Sequence, residues 1–60
     1  MSKEEAVIFL KENGYNAELE SGVVTVTLSK DEYEKHAKYE KKIKKLLSEN
    51  GYHSSWGVRY

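Results

Sequence analysis

The sequence predicts an α+β fold with the element order α-β-β-α-β, in which both helices pack on one face of a three-stranded sheet. Three observations support this fold. Two segments begin with a Ser-x-x-Glu capping box and end at a glycine, as helices often do. Two segments between them alternate apolar and polar residues, which is typical of half-buried strands. Because only one face of each strand is apolar, we expect both helices to cover that face.

Length and composition restrict the class of protein. The 60 residues predict one domain, residues 1–60, near the lower size limit for folding without disulfides or metals. The absence of cysteine excludes thiolate metal sites. Zero formal net charge disfavours binding to nucleic acid by bulk electrostatics. No apolar run is long enough to span a bilayer, and acidic residues near the start argue against a signal peptide. We therefore expect a cytoplasmic protein without a membrane partner.

The first helix is predicted over Lys3–Asn13. Ser2 and Glu5 form its capping box, and Gly14 ends it because glycine adopts the left-handed conformation without a Cβ clash. Residues at spacings of three and four form its apolar face: Ala6, Phe9 and Leu10, with Val7 on the flank.

A β-hairpin follows, with strands over residues 15–20 and 23–28 and the turn at Ser21-Gly22. A two-residue turn fixes a register that places apolar residues opposite each other, although a bulged three-residue turn is an alternative. The predicted pairs are Tyr15–Leu28, Asn16–Thr27, Ala17–Val26, Glu18–Thr25, Leu19–Val24 and Glu20–Val23.

A second capping box, Ser29-x-x-Glu32, predicts a helix that runs to about Asn50 and ends at Gly51. The last strand is predicted over residues 52–60. Alternation places Tyr52, Ser54, Trp56, Val58 and Tyr60 on its core face and His53, Ser55, Gly57 and Arg59 on the other. The apolar stripe of the helix is Tyr39, Ile43, Leu46 and Leu47, with His36 one turn earlier at the same azimuth.

One tetrapeptide occurs twice, at Glu12–Tyr15 and Glu49–Tyr52, and reads Glu-Asn-Gly-Tyr both times. In each copy the glycine ends a helix and the tyrosine begins a strand. We interpret the repeat as the same local capping chemistry used twice, in preference to ancestral duplication.

Two strand orders are compatible with these elements. In the order 3-1-2 every neighbouring pair is antiparallel, which is the commoner arrangement. In the order 1-2-3 the third strand lies parallel to the second after a right-handed crossover. The apolar alternation is richest in the second strand, which favours 1-2-3. The element order also resembles a ferredoxin-like unit without its first strand, and this resemblance implies a slot for a strand donated by a partner.

Catalytic and metal-binding patterns are not recognisable in the chain. His36 is predicted at the edge of the core, hydrogen-bonded to a neighbour, and His53 on the open sheet face, so the two are not expected to share one site. The glycines occupy turn or strand positions and do not form a phosphate-binding loop. We predict a non-enzymatic protein that uses no cofactor and no metal.

Two kinds of partner are considered. The first hypothesis is a small protein-interaction or regulatory module that binds another protein, or itself, through a sheet edge. Its candidate contact residues are Ile8, Arg59 and Tyr60. The second hypothesis is a nucleic-acid-binding module that uses the lysine face of the second helix. That face comprises Lys38, Lys41, Lys42 and Lys45.

Overall fold

The computed structural model describes all 60 residues and contains three helices and one three-stranded sheet. The elements are α1 (Lys3–Glu12), β1 (Asn16–Glu20), β2 (Val23–Thr27), α2 (Lys30–Tyr33), α3 (His36–Glu49) and β3 (Trp56–Arg59). The strand order is β1-β2-β3. β1 is antiparallel and β3 parallel to the central strand. The α+β class and the favoured strand order are both confirmed.

The hairpin has the predicted register. Every Cα pair from Asn16–Thr27 to Glu20–Val23 matches the expectation from a two-residue turn. Ser21 and Gly22 both have positive φ, 51° and 77°, which is the backbone of a type I′ turn. The bulged alternative is therefore not adopted, and the Tyr15–Leu28 pair lies just outside the ladder.

One hydrophobic core joins both long helices to the same sheet face. α1 packs on β1 and β2, whereas α3 packs on β3. The strand residues of this core have the predicted phase, so the placement of both helices on one face is confirmed. The buried apolar residues are Ala6, Leu10, Ala17, Val24, Val26, Leu28, Ile43, Leu47 and Tyr52.

The two Glu-Asn-Gly-Tyr corners have the same hydrogen-bond pattern. The N–H of Tyr15 donates to the Leu10 carbonyl at 3.0 Å, and the N–H of Tyr52 donates to the Leu47 carbonyl at 2.9 Å. The N–H of Gly14 donates to the Lys11 carbonyl and that of Gly51 to the Ser48 carbonyl, which completes a Schellman motif in each corner. Each asparagine side chain also donates to the carbonyl four residues earlier, at 2.8 Å.

The expectation of one continuous helix from Ser29 to Asn50 is wrong. The capping box at Ser29 is present, but α2 ends after one turn and α3 starts at His36. Lys35 interrupts the helix with φ −113° and ψ 32°. At this break the Tyr33 ring packs between the rings of His36 and Tyr60, with centroid distances of 5.2 Å and 6.0 Å. Contacts with the end of the sheet thus accompany a bend that helical periodicity does not reveal.

The last strand is shorter than predicted, because it begins at Trp56 and not at Tyr52. Tyr52 turns into the core, where it is 3% exposed, and its hydroxyl donates to the Ser55 carbonyl at 2.8 Å. Burial raises the pKa of the Tyr52 hydroxyl. The loop from Tyr52 to Ser55 closes on itself through this bond, so it is not extended. Trp56 and Val58 keep the predicted core phase, beside Val24 and Val26.

The slot implied by the ferredoxin-like element order is also not present. β3 pairs directly with β2, so no gap separates these strands. The sheet instead has two outer edges, one on β1 and one on β3, and only these are available to another strand.

Candidate interaction surfaces

The backbone of β3 presents unpaired groups to the outside of the sheet. The Arg59 carbonyl accepts a hydrogen bond from the Leu28 N–H at 2.7 Å and therefore points towards the central strand. Because backbone groups alternate in direction along a strand, those of Trp56, Val58 and Tyr60 point to the open edge. We call this row of groups the β3 edge. It is a template for pairing with an extended chain.

The side chains along the β3 edge are apolar or aromatic. Trp56 and Val58 are half-buried on the helix side, and Tyr60 is 65% exposed. Gly57 lies on the other side, where nothing comes within 4 Å of the position a Cβ would take. An incoming strand would therefore meet apolar surface on one side and free space on the other.

Arg59 is the one charged residue of β3, and its charge lies away from the β3 edge. Its guanidinium forms an ion pair with the Glu20 carboxylate of β1, on the far side of the sheet. The pair crosses the open face above the central strand, in which Thr25 is only 8% exposed. The predicted partner residue Arg59 is thus already engaged within the chain, which leaves the β3 edge uncharged.

The β1 edge differs in charge from the β3 edge. Since Glu20 and Val23 flank a two-residue turn, they form the hydrogen-bonded pair. The backbone groups of Ala17 and Leu19 consequently point outwards. Glu18 and Glu20 lie along the same strand, and charged residues are a common protection of an edge strand against pairing. Of the two edges, β3 therefore has less protection.

Tyr60 belongs to a small aromatic cluster at the end of the sheet. Its ring contacts Tyr33, which in turn packs on His36. His36 lies outside the core, with its side chain 51% exposed, and Nδ1 is 2.8 Å from the Glu40 carboxylate. The prediction of a hydrogen-bonded histidine is confirmed, but its placement at the core edge is wrong, since it lies exposed on the first turn of α3.

Ile8 lies away from the β3 edge and from Tyr60. It is 57% exposed on α1, which packs over β1 and β2, whereas Tyr60 follows β3 at the opposite side of the sheet. The predicted contact residues Ile8 and Tyr60 thus lie on two different sides of the molecule. Both strand orders considered from the sequence place the third strand at an edge, but Trp56 and Val58 were not named as edge residues because their phase assigned their side chains to the core.

The predicted lysine face lies on α3. Its four lysines are exposed and form no salt bridge with any carboxylate. Charge is also unevenly distributed along the chain. Residues 1–28 carry five acidic and two basic side chains, and residues 29–60 carry five acidic and eight basic ones, so the two parts have formal charges of −3 and +3. The zero net charge therefore conceals a positive half that contains α3.

The chain has no enclosed pocket. No group of three His, Asp or Glu side chains is placed to hold a metal ion. No helix combines the length and apolarity that crossing a membrane requires. Comparisons of the chain with protein-family models, with curated proteins and with solved structures give no match.

Proposed function

We propose that the protein is a small non-enzymatic interaction module that binds an extended protein segment at the β3 edge. The observation that carries this proposal is that Trp56, Val58 and Tyr60 combine outward backbone groups with uncharged side chains. In such β-augmentation the backbone hydrogen bonds supply affinity, and alternate side-chain positions supply specificity. Here specificity comes from Trp56, Val58 and Tyr60, which flank the incoming strand on the helix side.

Replacing Val58 with proline is expected to remove binding at the β3 edge without unfolding the domain. The N–H of Val58 points outwards, so proline deletes a donor that only a partner would use. Proline also retains an apolar side chain on the helix side. We expect at least about tenfold weaker capture of partner proteins, because an unmade backbone bond leaves a buried acceptor unpaired. The measurement is affinity capture from a lysate of the native host, quantified by mass spectrometry.

The matched control is Leu19→Pro, which removes an outward N–H from the β1 edge. Proteins bound at β3 are expected to be retained by the Leu19→Pro variant and lost by the Val58→Pro variant. Circular dichroism checks that both variants are folded. Equal capture by the native chain and the Val58→Pro variant would contradict the proposal. A native chain that captures no protein and is monomeric would also contradict the proposal.

A second candidate function is binding of nucleic acid by α3. The observation in its favour is that Lys38, Lys41, Lys42 and Lys45 occupy one exposed face without carboxylate partners. Lysines that contact phosphates release counterions, which makes such binding strongly dependent on salt. α3 itself contains five lysines and two glutamates, so its formal charge is +3 despite the zero net charge of the chain.

Titration with short DNA and RNA duplexes and single strands at low salt tests this candidate. Binding is expected to shift the backbone amide resonances of the four lysines and their neighbours, and to weaken steeply as salt is added. A variant with all four lysines replaced by glutamine is expected to lose the shifts. A variant with Lys3 and Lys11 of α1 replaced by glutamine is the control for the loss of positive charge away from α3. Absence of shifts on α3 at low salt would eliminate this function.

A further inference from the structure

We infer that the segment bound at the β3 edge is acidic, with aspartate or glutamate side chains on the side of the sheet that the helices cover. This inference rests on the proposed function and names the chemistry of its partner. The uncharged β3 edge lies beside α3, which packs on β3 and has a formal charge of +3 from five lysines and two glutamates. A segment that pairs with β3 therefore runs along a positively charged helix.

One flank of α3 faces α1, and the other faces the β3 edge. With 3.6 residues per turn, Tyr39 and Leu46 lie on one side of the buried Ile43. Glu40 and Lys44 lie on the other side. Tyr39 and Leu46 are half-buried against the core, as expected for the flank nearer α1. A parallel strand–helix–strand connection is right-handed, which likewise turns Glu40 and Lys44 towards the β3 edge.

Two lysines, Lys41 and Lys44, belong to the flank that faces the β3 edge. Both are exposed, and neither forms a salt bridge. Glu40 is the one carboxylate of α3 on this flank, and it lies 2.8 Å from His36 Nδ1. The charge left without a partner beside the β3 edge is therefore positive.

The direction of α3 sets which part of the β3 edge the lysines meet. The Tyr33 ring packs against His36, the first residue of α3, and against Tyr60, which follows β3. The start of α3 thus lies near the end of β3, so the two elements are antiparallel. Lys44 follows His36 by eight residues, about 12 Å along the helix. Trp56 precedes Tyr60 by four residues, about 13 Å along the strand, which places it at the level of Lys44.

An acidic side chain on the incoming segment fits both the strand and the helix. Lys41 lies about one turn before Lys44, which places it near the level of Val58. A glutamate on the helix side of the segment contacts the apolar side chains of β3 with its methylene groups, and its carboxylate is directed to the ammonium groups above. The lysine stems are themselves apolar and cover the same surface. Carboxylates therefore complement this site better than basic or uncharged side chains do.

The distribution of charge also directs an acidic segment to β3 and away from β1. Glu18 and Glu20 lie along β1, and residues 1–28 have a formal charge of −3. Because like charges on neighbouring strands destabilise a sheet, an acidic strand is disfavoured at the β1 edge. Opposite charge beside β3 instead speeds encounter with that edge and suppresses binding of basic partners.

Three peptides with blocked ends test the inference: one alternates valine and glutamate, and lysine or threonine replaces glutamate in the other two. Each is titrated into the native chain at low salt while backbone amide shifts are followed. The glutamate peptide is expected to shift the amides of Trp56–Arg59 at a concentration at least about fivefold lower than the other two, since opposite charges add affinity. This preference is expected to decrease as salt is added.

Charge reversal on the two flanks of α3 separates a placed contact from general attraction. A chain with Lys41→Glu and Lys44→Glu is expected to bind the glutamate peptide at least about fivefold more weakly than the native chain. The matched control has Lys38→Glu and Lys42→Glu, the same change of charge on the flank that faces α1, and is expected to retain binding. Circular dichroism checks that both variants are folded. Equal weakening in the two variants, or weakening in neither, would overturn the inference.

The same titrations distinguish other occupants of the edge. If all three peptides bind equally and all are lost with Val58→Pro, the proposed function stands and only the acidic partner is wrong. Shifts of the β3 amides on concentrating the native chain alone would assign the edge to a second copy and overturn the inference. Single-stranded DNA that shifts the amides of Lys38 and Lys42 more than those of β3, also in the Val58→Pro variant, would overturn it in favour of nucleic acid. If no peptide shifts β3, the inference fails, and the capture experiment decides the proposed function separately.

Discussion

Truncation of Leu47 to alanine is expected to lower the free energy of unfolding by about 3 kcal/mol. The Leu47 side chain is 1% exposed and belongs to the core that also contains Leu10 and Ile43. Its removal leaves a cavity that the surrounding helix and strands fill only in part. Because domains of this size rarely exceed roughly 3–5 kcal/mol of total stability, we expect a measurable unfolded fraction at room temperature.

Leu46→Ala is the matched control for this substitution. Leu46 precedes Leu47 on the same helix, so the change in helix propensity is the same, but its side chain is only half-buried. We expect a loss of about 1 kcal/mol there, in proportion to the apolar area removed from the core. Urea unfolding, monitored by far-UV circular dichroism, measures the loss of stability in the two variants. Equal losses in the two variants would contradict the position of Leu47 in the core.

Alanine at Gly14 or Gly51 is expected to lower the free energy of unfolding by about 1 kcal/mol in each case. Both glycines have left-handed φ, 88° and 86°, as the Schellman corners require. Nothing lies within 4 Å of either Cβ position, so the loss comes from backbone strain and not from a clash. The corners are separate, and the double variant is expected to lose about 2 kcal/mol.

Gly57→Ala separates backbone strain from the general effect of replacing glycine. Gly57 does not have left-handed φ, and its Cβ position is also in open space. Alanine there reduces the entropy of the unfolded chain, so stability is expected to stay equal or to rise slightly. Thermal and urea unfolding of the three variants provide the comparison. Unchanged stability in both corner variants would disprove the left-handed caps.

The features predicted correctly from the sequence are those decided by neighbours along the chain. A capping box involves residues three apart, and the Ser21-Gly22 turn sets the register of the strands beside it. The exposure of the α3 lysines likewise follows from helical periodicity. For these features the chemistry of a few consecutive residues determines the result.

The candidate site was predicted only in part. Alternation assigned Trp56 and Val58 to the core face, and both strand orders considered placed their strand at an edge, but alternation does not show which backbone groups of β3 point outwards. Arg59 was identified as a partner residue, and the ion pair with Glu20 became visible only in the fold. Ile8 and Tyr60 were both predicted as contact residues, and the tertiary structure places them on different sides of the molecule.

By itself the sequence determined the fold class, the helix ends at Gly14 and Gly51, the hairpin register and the apolar face of the sheet, since each depends on local hydrogen bonds and on the period of the apolar residues. The tertiary structure decided the break at Lys35, the late start of β3 and the ion pair between Arg59 and Glu20. These depend on contacts between residues far apart in the chain, such as Tyr33 with Tyr60. At Lys35 the chain departs from the local preference to continue a helix, next to the contact that Tyr33 makes at the end of the sheet.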